Sequence, residues 1–140
     1  NTQRLVDAIL NGARSPEAGN IDVHFIEPLN AKPEDVLTCD ALILGTTENL
    51  SYMSGALKDF FDRCYYPLLA EKQGLPCALY IRAGHDGTGS LRALNTILTG
   101  LRWKQVQEPL LLKGNWQETF LNSAEELGLS IACALDAGII

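Results

Sequence analysis

ALILGTTENLSYMSGALKDFFDRC, residues 41–64, decides the fold. It opens with an unbroken apolar run, Ala41-Leu42-Ile43-Leu44, that stops at Gly45, and a strand apolar on both sides belongs inside a parallel sheet. That run is expected among the most buried segments. From Ser54 the period changes. Leu57, Phe60, Phe61 and Cys64 recur at i, i+3, i+4 and i+7, the pattern of an amphipathic helix capped by Ser51 or Ser54 and closed by Pro67. A buried strand joined by a short loop to an amphipathic helix is the repeating unit of an α/β domain.

The same unit recurs on both sides of this stretch. Towards the N-terminus, Leu5, Val6, Ile9, Leu10 and Ala13 give a helix over Thr2–Arg14, which Ser15-Pro16 breaks. Ile21-Asp22-Val23-His24-Phe25-Ile26 then alternates with period two and predicts a strand, with His24 on its polar side. Lys32–Leu37 has room only for a short helix. Towards the C-terminus, Cys77–Arg82 predicts a strand and Ala83–Gly89 a glycine-rich loop, followed by a helix marked by Leu91, Leu94, Leu98 and Leu101. Pro109–Leu112 gives a last strand. Ser123 and Glu126 stand at capping-box spacing before a final helix carrying Leu127, Ile131 and Leu135. Strict alternation with no repeats predicts one domain over residues 1–140, a doubly wound α/β domain. Its strands should be parallel in one sheet covered on both faces.

Composition narrows the function. The chain has 140 residues, 46% of them hydrophobic, enough for one core and too few for two full domains. Eleven Lys and Arg against 17 Asp and Glu give a net charge of −6, with no basic stretch of the kind nucleic acid requires. No apolar run approaches the roughly 18 residues of a membrane span. Cys39, Cys64, Cys77 and Cys133 form no C-x-x-C pair, and neither His24 nor His85 stands at metal-ligand spacing from them. Free thiols in a reducing cytoplasm are the favoured expectation, with no metal site.

In an open α/β sheet, ligands bind beyond the carboxyl ends of the strands. Three segments qualify: Asn1-Thr2, where the positive end of a helix would face an anion; Thr46–Met53; and Ala83–Gly89. Taken singly, each also reads as plain connection, since Thr46–Asn49 can simply join strand to helix and Gly84, Gly87 and Gly89 can simply serve a turn. Three at successive strand ends favour a site. An Asp at the end of the central strand, which a phosphoacceptor receiver domain needs, is replaced by Gly45-Thr46. The G-x-G-x-x-G of a dinucleotide-binding domain does not occur.

Met53-Ser54-Gly55-x-Leu57-Lys58-x-Phe60-x-Asp62-Arg63, with Gly45-Thr46 before it, resembles the flavodoxin-like superfamily, specifically its NADPH-dependent FMN reductase and quinone-reductase-type branches. Asn1-Thr2 is similar to the end of that superfamily's phosphate loop, and the Ala83-Gly84 strand end with its glycine-rich continuation matches as well. The resemblance implies FMN as cofactor. Asn1 and Thr2 would cradle its phosphate; Thr46, Thr47, Glu48, Asn49, Tyr52 and Met53 would contact the ring. The backbone of Ala83, Gly84, His85 and Gly87 would bond the ring edge. It also implies that the first strand, about ten residues with the start of the phosphate loop, precedes Asn1. Two positions depart from the pattern: Thr47 replaces the usual Pro, and Glu48 brings a carboxylate near the flavin, where it would lower the potential unless it points to solvent.

The activity implied is electron transfer from NAD(P)H to a small-molecule acceptor, a quinone, flavin or similar compound. No side chain stands out as an acid or base, and a loop histidine such as His85 is more often incidental. The alternative is a flavodoxin-type carrier that does not turn over with nicotinamide, which the acidic charge would suit at a basic redox partner. A homo-oligomer stays open.

Overall fold

The computed structural model describes all residues, Asn1–Ile140. The chain falls into two compact units, one made of Asn1–Phe25 with Asn115–Ile140 and the other of Ile26–Gly114.

The second unit holds the sheet. Strand β1 (Leu42–Asn49) turns back at once into the two-residue β2 (Tyr52–Met53) and pairs with it antiparallel. Strand β3 (Pro76–Ala83) lies parallel to β1, with Leu42 opposite Cys77 and Thr47 opposite Arg82. The other edge of β3 is shared by two short parallel strands, β4 (Lys104–Gln105) at its start and β5 (Leu110–Lys113) at its end. β3 is therefore the central strand and the best buried, with Ala78, Leu79 and Ile81 at zero exposure. This corrects the expectation for Ala41–Leu44, of which only Leu44 is buried. Along Leu42–Thr47, β1 is paired on the β3 side alone, whereas β3 is paired on both sides.

One face of the sheet carries Leu44, Cys77, Leu79, Ile81 and Ala83. They form a single core with Leu57, Phe60, Phe61, Cys64 and Leu68 of a helix over Gly55–Leu68, and with Leu94, Leu98 and Leu101 of one over Thr88–Leu101. In chain order these are α3 and α4, since α1 (Thr2–Ala13) and the short α2 (Pro33–Leu37) precede them. Burial of Leu68, one residue past Pro67, carries α3 through the proline, which sits in its last turn instead of closing the helix. On the opposite face of β1, Gly45 lies under the ring of Tyr80, its register partner, and a β-carbon there would overlap that ring. Cys77 is 1% exposed, and burial pushes its thiol up to about 11.

The first unit is built on α1 and α5 (Thr119–Asp136). The two helices meet backbone to backbone: a β-carbon at Gly12 would overlap the Glu125 carbonyl, and one at Gly128 the carbonyl of Ile9. Ser123 does not open α5. The helix begins a turn earlier, after Glu118, because Phe120 and Leu121 already donate to the carbonyls of Gln117 and Glu118 and Phe120 is buried. The strand expected over Ile21–Ile26 does not form either. Its alternation is real, since Ile21 and Val23 pack against Ala13, Ala18 and Ala132 while Asp22 and His24 face outward. A strand also needs a ladder partner, and among the strands none pairs with this segment; Arg14 bonds the Val23 carbonyl instead.

All four cysteines are free, Cys64 and Cys77 buried and Cys39 and Cys133 half-buried. No helix is long and apolar enough to cross a membrane.

The close glycine crossing can be probed directly. Gly128→Ala inserts a methyl group where only backbone fits, and should cost about 1–3 kcal/mol, read as a lower urea midpoint with an unchanged slope. The same change at Gly55, whose β-carbon position is open space, should not destabilise by this route.

Candidate functional site

The carboxyl ends of β1 and β3 lie side by side in the parallel ladder, so the segments that follow them are neighbours. After β1 the chain makes a hairpin whose two turn residues, Leu50 and Ser51, both have positive φ, 51° and 64°. Two left-handed residues form a type I′ turn, the hairpin type that suits strand twist and prefers Asn-Gly. With Leu and Ser in those places the turn holds strain, about 1–3 kcal/mol per residue. It also projects Leu50 wholly into solvent, and Tyr52 is 39% exposed beside it.

After β3, Ala83 is buried and Gly84, His85 and Asp86 are exposed; Gly87, at φ 73°, caps α4 without a side chain. The first-turn N–H groups of α4 are therefore served from elsewhere. The Asp86 carboxylate accepts from Thr88 N at 3.0 Å, and the Glu48 carboxylate from Ser90 N at 3.5 Å. The hydrogen bond from the Thr88 backbone holds the Asp86 carboxyl below its ordinary value of 3.8, with smaller help from the Thr88 hydroxyl and from His85. The Ser51 carbonyl rests on Gly89, where a β-carbon would overlap it. Buried beneath, the Ser90 hydroxyl has no hydrogen-bond partner.

The residues singled out from the sequence fall into distinct roles in the second unit. Thr46 is buried and its hydroxyl is engaged within the loop, donating to the Thr47 carbonyl and accepting from Ser54 N. Met53, 2% exposed, is part of the core. Thr47 donates to the Asn49 side-chain oxygen. Glu48, half-buried, turns to α4 through its bond to Ser90 N. Asn49, Tyr52, Gly84 and His85 are exposed at the strand ends. Ser54 proves to be the cap of α3, accepting from Leu57 N. The Asp-Arg pair of the helix motif is structural: Arg63 bonds the carbonyls of Pro28 and Ala31 and pairs with Asp59, while Asp62 pairs with Lys58.

Asn1 and Thr2 open α1 in the first unit. The Asn1 side chain makes no cap hydrogen bond, and no acid lies in the first turn. A cluster that no sequence pattern announces surrounds that turn. Arg4 makes a two-pronged pair with Glu118 at 3.1 and 2.7 Å, lies over the Trp116 ring, and shares the carboxylate with the Trp116 indole N–H. The Arg4 hydrogen bond, with the indole's second, holds Glu118 below its usual 4.5. Arg4 and Glu118 stand 114 positions apart, and neither carries a local signal. Leu50 and Ser51 escaped for another reason: nothing in Leu-Ser announces a left-handed turn. Asp86 is the acid directly beside His85.

Fold and site together define an α/β protein of the flavodoxin-like class. Residues 26–118 match the NADPH-dependent FMN reductase family, and the chain belongs to it. A flavodoxin from Aquifex aeolicus is 32% identical over 101 residues, 72% of this chain; the chain spans about half, 54%, of that curated relative's length. A flavodoxin from the domain Archaea superposes with a TM-score of 0.77 at 21% identity, covering 94% of this chain and 88% of that one. A WrbA-like flavodoxin from Agrobacterium tumefaciens gives 0.69 at 15% identity, covering 94% and 87%.

The Asp86 hydrogen bond sets a pH dependence. Because its folded pKa is depressed, its contribution is present above about pH 4 and lost as pH falls through the folded value. Below about pH 4, the urea midpoint of the parent should fall more steeply with falling pH than that of Asp86→Asn, whose side chain does not titrate.

Proposed function

We propose that the chain is an FMN-binding oxidoreductase that accepts a hydride from NAD(P)H and passes electrons to a small-molecule acceptor such as a quinone or another flavin. One observation carries the reading: two strand-end segments of the second unit meet with their exposed faces chemically matched to a flavin ring. Leu50 and Tyr52 offer apolar and aromatic surface. Gly84 offers backbone with open space where a side chain would stand. Neither Thr46–Ser54 nor Ala83–Ser90 contains a Lys or Arg, so the pair suits the uncharged, planar end of the cofactor. Within the first unit, taken by itself, the first turn of α1 at Asn1-Thr2 has no side-chain cap and no acid, which suits an anion. The strand-end residues of the second unit thus fit the ring of the cofactor.

When bound, FMN supplies the hydride and electron chemistry; the chain's part is to hold and orient. Backbone N–H groups at Gly84 and His85 would bond the ring edge and Tyr52 would cover a face; in the first unit, Thr2 is the residue whose hydroxyl the family resemblance assigns to a phosphate. No charged side chain of these segments is placed as an acid or base for the reaction. The family description, NADPH-dependent FMN reductase, supports the nicotinamide step. The Aquifex relative named flavodoxin and the net charge of −6 favour a second reading, a carrier without nicotinamide turnover.

The absorption spectrum of the purified protein with FMN, followed by steady-state NAD(P)H oxidation, separates the two. Nicotinamide oxidation faster than free FMN alone supports the enzyme; a bound-flavin spectrum without it supports the carrier. Thr2→Val keeps the shape but removes one hydrogen bond to a charged group, so FMN affinity should fall about ten-fold or more. Riboflavin, which lacks the phosphate, should bind both proteins alike. Equal loss for both ligands removes Thr2 from the phosphate site.

A further inference from the structure

We propose that Glu48 is a positioning residue of this site. Its carboxylate ties the β1–β2 hairpin to the first turn of α4 and so maintains the left-handed Leu50–Ser51 turn. The inference rests on the flavin reading only for its functional consequence.

Three observations converge on Glu48. First, Leu50 and Ser51 occupy a conformation that residues with a β-carbon leave readily, and such strain persists only where the surroundings over-determine it. The hairpin's ladder is two residues long, Glu48 with Met53 and Asn49 with Tyr52, and its returning arm is anchored by buried Met53 and by Ser54 N on the Thr46 hydroxyl, which leaves the turn itself to be held from the α4 side. Second, the first turn of α4 lacks a cap of its own. Gly87 contributes no side chain, Asp86 satisfies Thr88 N, and Ser90 N is met by Glu48, 42 residues away in sequence. A carboxylate at that place is favoured both by the hydrogen bond and by the positive end of the helix. Third, the contact surface is shaped for the tie: Gly89 lets the Ser51 carbonyl seat on the helix. Glu48, which stood out in the sequence as a misplaced charge near the ring, thus has a defined task on the protein side. Neither Leu50 nor Tyr52 is covered by the tie, and both remain exposed for a ligand.

The test compares Glu48→Ala, which removes the acceptor, with Glu48→Gln, which keeps an amide oxygen in its place. In the full chain without flavin, amide exchange of Ser90 should accelerate about ten-fold or more in the Ala variant and return most of the way to the parent rate in the Gln variant. Exchange at Leu79 and Ile81 in β3 should stay at the parent rate, showing an intact sheet. FMN titration should follow the same order, with affinity reduced about ten-fold in Glu48→Ala and largely restored in Glu48→Gln. Gly89→Ala gives an independent route, since its methyl group displaces the Ser51 carbonyl with Glu48 untouched; it should speed Ser90 exchange and weaken FMN as well. Unchanged Ser90 exchange in Glu48→Ala overturns the tie. Faster exchange with undiminished FMN affinity overturns its positioning role. A parent chain that binds no FMN removes the flavin reading itself, while the exchange measurement still decides whether the tie exists.

Discussion

The parallel ladder between β1 and β3 is the constraint on which the second unit depends. Six consecutive register pairs, from Leu42 with Cys77 to Thr47 with Arg82, bring both strands to an end at the same level. Because parallel strands point the same way, the segments leaving them emerge together, and a hairpin and a helix start far apart in sequence become neighbours. The strand-end site follows from that alignment. The core below it, where Leu44, Leu79 and Ile81 pack against α3 and α4, fixes the ladder against slipping, since a one-residue shift would turn Tyr80 and Arg82 into the apolar layer.

Electrostatics divides the starts of α1 and α4. The first turn of α1 carries no acid, and its nearby cation, Arg4, is neutralised by Glu118. The first turn of α4 is served by two carboxylates of the chain, Asp86 and Glu48. One helix start has no acid of the chain in its first turn, and the other has two carboxylates on its first-turn N–H groups. A glycine-rich loop before a helix is therefore no sign of a phosphate site by itself; what matters is which groups already bond the first-turn N–H groups.

Much of this was legible in the residues, for reasons of period. Leu57, Phe60, Phe61 and Cys64 all proved buried on one side of α3, and Leu94, Leu98 and Leu101 on one side of α4, because a helix that packs on a sheet must show that spacing. The α/β class, the parallel sheet and the strand-end loops followed from such patterns. The strand expected at Ile21–Ile26 failed because alternation reports which side is wet and says nothing about a ladder partner. Pro67 and Ser123 misled because local stop and start signals yield to burial of Leu68 and Phe120. The bonds that shape the site, Glu48 to Ser90 and Arg4 to Glu118, join distant positions through exposed or half-exposed polar groups, which carry no periodicity. The strained turn was invisible because its residue types are ordinary and only their φ angles are not.

The buried thiols bear on chemistry of another kind. The fold keeps four thiols within it, and a thiol is among the side chains most easily oxidised. Cys77 is shielded twice, by steric exclusion at 1% exposure and by a proton it holds up to about pH 11, since the thiolate and not the thiol is the reactive form. Cys64, wholly buried, is likewise pushed up by its surroundings. The same close packing that fixes β3 and α3 thus acts as a chemical insulator, keeping these two cysteines protonated and out of reach of solvent while the sheet stays closed.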